Sequence, residues 1–154
     1  MPSADPSPES AIPAAFLRLA GRRAWSSRLA ELGRRAQSGP LSGRAAQQRH
    51  AVEFVLARVA EGRGAERLGT AERRVLDFAQ EAVRLARTLP EEPRARLRAL
   101  VHEGLAGEQT LIPLFHLLRT AALYRERGFA VEFAGLAEGA PYDLKVAASS
   151  DGSL

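Results

Sequence analysis

The chain has 154 residues, a formal net charge of +4 from 22 basic and 18 acidic side chains, and no cysteine. That length suits one domain burying about 70% of its unfolded surface without a staple. The absent cysteines exclude disulfides, thiolate metal sites and a cysteine nucleophile, and fit a reducing compartment.

Residues 1–10, "MPSADPSPES", carry prolines, serines and acids where a secretory signal needs a basic start and an apolar core, and are expected to be a disordered tail. No window approaches eighteen apolar residues, so no membrane partner and a cytoplasmic location are expected.

Between Ile12 and Ala36 the apolar residues Phe16, Leu19, Trp25, Leu29 and Leu32 recur at near-helical spacing, predicting one helix or two split near Gly21. "SGPLSG", residues 38–43, has the composition of a connection. A second helix is predicted from Arg44 to Glu61, with Val52, Val55, Leu56 and Val59 on its buried stripe. Thr70 is a plausible N-cap for a third, whose stripe runs through Val75, Leu76, Ala79, Ala82, Val83 and Ala86. Glu91 and Glu92 open a fourth, which buries Leu97, Leu100 and Val101 and ends near Gly104 and Gly107. The fifth, residues 111–127, is apolar over most of its circumference as far as Leu118, which predicts a place in the middle of the core, with His116 a satisfied core histidine. Residues 11–108 thus form a helical region, and residues 109–154 a helix plus hairpin.

Phe129 to Leu136 and Asp143 to Ala148 alternate apolar and polar residues, as half-buried strands do. Opposed residues of an antiparallel pair share a face, so matching the apolar residues pairs Val131 with Val146 and Phe133 with Leu144. Residues 137–140 are then the loop. This register sets Glu132 across from Lys145, the only lysine, and Ala134 across from Asp143. Glu132 and Asp143 become diagonal neighbours, roughly 7–8 Å apart. Two carboxylates so placed suit one Mg²⁺ ion, with Lys145 near to orient water or offset phosphate charge. The plainer reading is a cross-strand ion pair between Glu132 and Lys145, with Asp143 solvated.

The run from the apolar helix at 111–127 through "GFAVEFAGL" and "APYDLKV" resembles the opening of the PD-(D/E)xK nuclease-like fold, a helix followed by a meander of strands. The resemblance implies an acid on the second core strand and a (D/E)xK triplet on the third that bind Mg²⁺ and cleave phosphodiesters. In one alignment Pro141, Tyr142 and Asp143 match the strand-two acid, Glu126 matches the helix acid of some members, and the triplet strand would lie beyond Leu154. In the other, Glu132 is the first acid and Asp143-Leu144-Lys145 is the triplet, without the proline and without a first strand. The first is preferred, because the helix leads directly into residues 130–136. It implies a truncated nuclease-like core, or a partner that supplies the further strand.

The arginines add a second possibility. Arginine forks match phosphate oxygens, and "GRRAWSSRLAELGRR", residues 21–35, offers Arg22, Arg23, Arg34 and Arg35 for nucleic-acid contact. A GC-rich coding sequence would give the same bias, and Trp25 also suits plain helix packing. Arg94 and Arg98, at i and i+4, are taken as a solvated face. The sequence therefore predicts a mainly α protein of the α+β class, about five helices in a bundle with a C-terminal antiparallel β-hairpin. Functionally it predicts a helical protein ending in the first elements of a restriction-endonuclease-like fold, not catalytically competent alone. In that reading Asp143, Lys145 and Glu132 are the catalytic candidates, and Asp143 and Glu132 the Mg²⁺ ligands. The alternative is a non-enzymatic module binding protein or nucleic acid through Arg-rich faces.

Overall fold

The computed structural model describes residues 8–61, 68–141 and 143–148. The expected tail therefore falls largely outside the described residues. The architecture is mainly helical with a two-stranded antiparallel hairpin near the C-terminus. In order come α1 (Pro8–Ala20), α2 (Arg22–Ala36), α3 (Pro40–Arg49), α4 (Ala51–Ala60), α5 (Thr70–Thr88), α6 (Glu91–Gly104), α7 (Ile112–Glu126), β1 (Phe129–Glu132), α8 (Ala134–Glu138) and β2 (Lys145–Ala148). Among the described residues, no helix is long and apolar enough to cross a membrane.

Gly21, at φ 88°, ends α1 and lets α2 start at once in a new direction. The helix expected over residues 44–61 is instead two. His50 leaves the helical region at φ −114°, ψ 33°, while its N–H bonds the Ala46 carbonyl and its own carbonyl accepts from Phe54. "SGPLSG" is mostly helix, with Pro40 as the first residue of α3, where its missing N–H costs nothing. Thr70 is the first helical residue of α5 rather than its cap, which is Gly69.

The central element is α5, not the more apolar α7. It buries Val75, Leu76, Phe78, Ala79, Ala82, Leu85 and Ala86 and packs against α1, α4, α6 and α7. Ala79 and Ala82 are wholly buried, and their small side chains allow α1 a close approach. Phe78 links the layers, its ring 5.6 Å from Phe16 of α1 on one side and 5.6 Å from Phe115 of α7 on the other. α7 buries Leu114, Leu118 and Ala121 but leaves Pro113, His116 and Thr120 exposed. Its apolar count misled because half-buried Ile112, Phe115 and Leu117 flank a single inward stripe. His116 is thus a surface histidine.

In the hairpin, Val131 pairs with Val146 and Glu132 with Lys145. The ladder stops there. Phe133 turns inward at ψ 75° and is buried beneath the Arg125 guanidinium, 5.5 Å from its ring centroid. Its carbonyl accepts from Leu136 and Ala137, which starts α8 where a simple loop was expected. Residue 143 therefore lies outside the ladder, held by the bond from Gly135 N–H to its carbonyl at 3.2 Å. The strands are also more exposed than the alternation implied, with only Val131 half-buried.

A tight contact closes α6. A Cβ on Gly104 would stand 2.8 Å from Leu111 Cδ2 and 3.0 Å from the Thr110 carbonyl oxygen. Gly104→Ala is expected to destabilise the fold by about 1–3 kcal/mol by overpacking, despite the better helix propensity of alanine. Urea denaturation checks it; a variant as stable as wild type would mean that this contact yields freely.

Candidate functional site

Three groupings of polar side chains stand out. The first is the hairpin. Glu132 and Lys145 face each other across the ladder, and both are exposed. No ion pair closes between them among the described residues. Asp143 does not join them. It lines a small cleft of about 170 Å³ with Glu103, Gln109, Thr110, Pro113 and Leu117, where α6 and α7 meet. The diagonal relation to Glu132 required a ladder running to Ala134 opposite Asp143, and the inward turn of Phe133 removes it. Among the described residues no group of three His, Asp or Glu side chains is placed to hold a metal ion. Among the described residues the ladder therefore brings Glu132 and Lys145 together, with Asp143 outside it.

The second grouping is buried. Arg28 of α2, with its side chain fully enclosed, donates to the carbonyls of Gly104 at 3.1 Å, Gly107 at 2.9 Å and Gln109 at 2.7 Å, and to Glu31 Oε2 at 3.2 Å. Arg35 adds bonds to Glu31 at 2.6 Å and Glu108 at 3.0 Å, while Arg49 of α3 donates to the Glu108 carbonyl. Three arginines from two helices thereby grip the α6–α7 loop. This occupies Arg35, one of the arginines offered for nucleic-acid contact; Arg22, Arg23 and Arg34 are exposed, with no partner for their side chains among the described residues.

Beside Arg28 lie His50 and Glu53, both fully buried, with His50 Nδ1 2.7 Å from Glu53 Oε2. Burial pushes Glu53 up to about 7, while the Arg28 charge and the Leu111 backbone amide pull the other way. That amide makes no hydrogen bond to Oε1, which, like His50 Nε2 and Arg28 Nε, has no partner. Burial lowers His50 to about 4, helped by the charges of Arg28, Arg35 and Arg49. Between those values Glu53 carries the proton and donates it to Nδ1 of a neutral His50.

The third grouping is a cationic cleft of about 420 Å³ between α1, α5 and α6, lined by Arg18, Arg87, Arg94 and Arg98 over a floor of Ala15, Leu19, Val83 and Ala86. No acidic residue lines it. Arg94 gives one N–H to the Leu89 carbonyl at 2.9 Å, and its buried Nε has no partner. The other three guanidinium groups make no ion pair among the described residues. Arg94, Arg98 and His102 follow one another at four-residue spacing along α6. The α1–α2 junction at Gly21 lies against His102, since a Cβ there would be 3.6 Å from its Nε2. The start of α2, with Arg22 and Arg23, therefore adjoins the end of this face. Sequence reasoning noted the spacing of Arg94 and Arg98 but missed the cleft, because Arg18 and Arg87 reach it only through helix packing.

The His50–Glu53 pair makes a pH prediction. Between pH 4.5 and 6.5 the folded pair holds one proton on Glu53 and the unfolded pair holds one on His50, so their joint contribution to stability has no slope. His50→Gln leaves Glu53 with a raised pKa; the variant is expected to be most stable below pH 4.5 and to lose stability as pH rises toward 7. Glu53→Gln leaves His50 depressed; its stability is present above pH 6.5 and falls as pH drops toward 4. Each slope approaches about 1.4 kcal/mol per pH unit. Denaturant titrations across that window check the signs, and slopes of the same sign in both variants would refute the shared proton.

Comparison with protein-family models, curated proteins and solved structures finds no match to this chain.

Proposed function

We propose that this protein is a non-enzymatic helical module that binds nucleic acid through its arginine-rich surface. The observation that carries the reading is the cleft between α1, α5 and α6, where four arginines converge and no acid lines the wall. Several arginines have a carboxylate within reach: Arg35 has Glu31 and Glu108, Arg58 has Glu72, Arg84 and Arg125 have Glu81, and Arg96 has Glu92. Among the described residues Arg18, Arg87 and Arg98 have none, and unlike Arg22, Arg23 and Arg34 they line one cleft together. Uncompensated like charges on one face repel each other and are relieved by an anionic ligand. Planar guanidinium groups match phosphate oxygens with paired hydrogen bonds, and a polyphosphate backbone can engage several at once. The face contains no lysine, so its donors are all of the forked kind.

A second reading, as the opening elements of a PD-(D/E)xK nuclease-like domain, keeps one favourable observation: Glu132 and Lys145 are ladder partners.

Both readings meet one assay. The module reading expects fluorescence anisotropy to show binding of labelled DNA at low salt, with log K falling against log salt at a slope of about −3 to −4 if all four cleft arginines meet phosphates. Arg87→Glu is expected to weaken binding at least tenfold. Supercoiled plasmid incubated with Mg²⁺ should remain intact. No binding of duplex or single strands at low salt would end the proposal, whereas Mg²⁺-dependent nicking lost in Asp143→Ala would transfer support to the nuclease-like reading.

A further inference from the structure

Nucleic acid can be held by its phosphates or by its bases, and the two demand different side chains. Single strands are gripped where exposed aromatic rings stack on bases beside basic groups. Around the arginine cleft the floor is small and aliphatic, with Ala15, Leu19, Val83 and Ala86, and no aromatic residue lines it. The aromatic side chains near this part of the fold are turned inward: Phe16 is wholly buried, Trp25 is 6% exposed and Phe78 is 4% exposed. Tyr124 and Phe129, the exposed aromatics among the described residues, meet edge to face at 5.9 Å at the α7–β1 end. Base-edge readout in a groove needs an element projecting side chains from a convex surface, typically an inserted helix or ribbon. Here the arginines line a concavity walled by three helices.

From this placement we infer that the cleft is a base-indifferent site for the phosphate backbone of double-stranded DNA, an inference that rests on the nucleic-acid reading above. Arg94 and Arg98 stand about 6 Å apart along the axis of α6. Arg18 and Arg87 face them from α1 and α5 across the same opening, so the site offers a row of forks on one side and single forks opposite. A duplex presents closely spaced charges on two strands, one per about 1.7 Å of axis, and so saturates several forks together. The aliphatic floor contacts sugars without regard to sequence.

The test uses the full chain and three variants with anisotropy at fixed salt. The probes are 20-base-pair duplexes of all-A·T, all-G·C and mixed sequence, and a single-stranded oligothymidine of equal length. The inference expects the three duplexes to bind within about threefold of one another and at least fivefold tighter than the single strand. Arg18→Ala/Arg98→Ala should lose at least tenfold in duplex affinity and lower the salt slope by about two. A control pair with the same charge change, Arg44→Ala/Arg73→Ala, lies on exposed surface of α3 and α5 away from the cleft and should lose less than threefold. Arg98→Lys in the Arg18→Ala background should recover part of the loss if charge at the cleft is the cause. Preference for the single strand, or for one duplex sequence, overturns this inference while leaving nucleic-acid binding in place. Equal losses in the cleft and control pairs overturn the location. Absence of binding to every probe overturns the underlying reading and this inference with it.

Discussion

One buried guanidinium organises this fold. Arg28 has no solvent exposure on its side chain, yet it satisfies the carbonyl of Gly104 at the end of α6, two carbonyls of the α6–α7 loop and one carboxylate. Hydrogen bonds to a charged donor are worth about 1.5–3 kcal/mol each, and leaving such carbonyls unpaired in an interior costs a similar amount. The planar fork meets acceptors in three directions; a lysine ammonium at the same position offers a point charge on a flexible stem and does not reproduce that fan. Everything C-terminal to α6 depends on it, because the loop it holds sets where α7 begins, and α7 in turn carries the hairpin. The buried His50–Glu53 pair completes the same polar pocket, and the helix break at His50 is what brings His50 to Glu53.

The remaining arginines then divide by what their neighbours are. Arg35 and Arg49 extend the grip of Arg28 on the loop, and Arg96 ties α6 to α8 through the Leu136 carbonyl at 2.6 Å. Arg84 and Arg125 converge on Glu81 and lash α5 to α7; burial pushes that carboxyl up, but the two arginines more than offset it and hold it below the usual range. Arg18, Arg87 and Arg98 lack such partners among the described residues, as do Arg22, Arg23 and Arg34, and what sets the first three apart is that helix packing gathers them with Arg94 round one cleft. The proposed function follows from that contrast rather than from the total charge, which is only +4.

Much of the local structure was legible in the sequence, because it follows from periodicity. The stripe of Val75, Leu76, Ala79, Ala82 and Ala86 located α5, Gly21 marked where the first helix could split, and the apolar match of Val131 with Val146 set the hairpin register correctly. What escaped depended on contacts between distant residues. Nothing local marks His50 as a helix break, and its buried contact with Glu53 is not visible in the apolar pattern. In "GRRAWSSRLAELGRR" the spacing from Trp25 and to Leu32 puts Arg28 on the buried stripe, a signal passed over because arginine is rarely a core residue. Phe133 alternates correctly for a strand, but the core beneath Arg125 captures it and ends the ladder early, so Asp143 leaves the face on which pattern alone had put it. The cleft arginines come from three helices, and only their packing makes them neighbours.

The division of arginines into pinned and free sets is tested most directly by reaction with an arginine-specific dicarbonyl reagent, mapped residue by residue by mass spectrometry with and without duplex DNA. The account predicts that Arg18, Arg87 and Arg98 react readily in the free protein and are shielded by the duplex, while Arg28 stays unmodified in both until denaturant is added. Modification of Arg28 at the rate of the surface arginines, or a duplex that shields none of the three in the cleft, would contradict it.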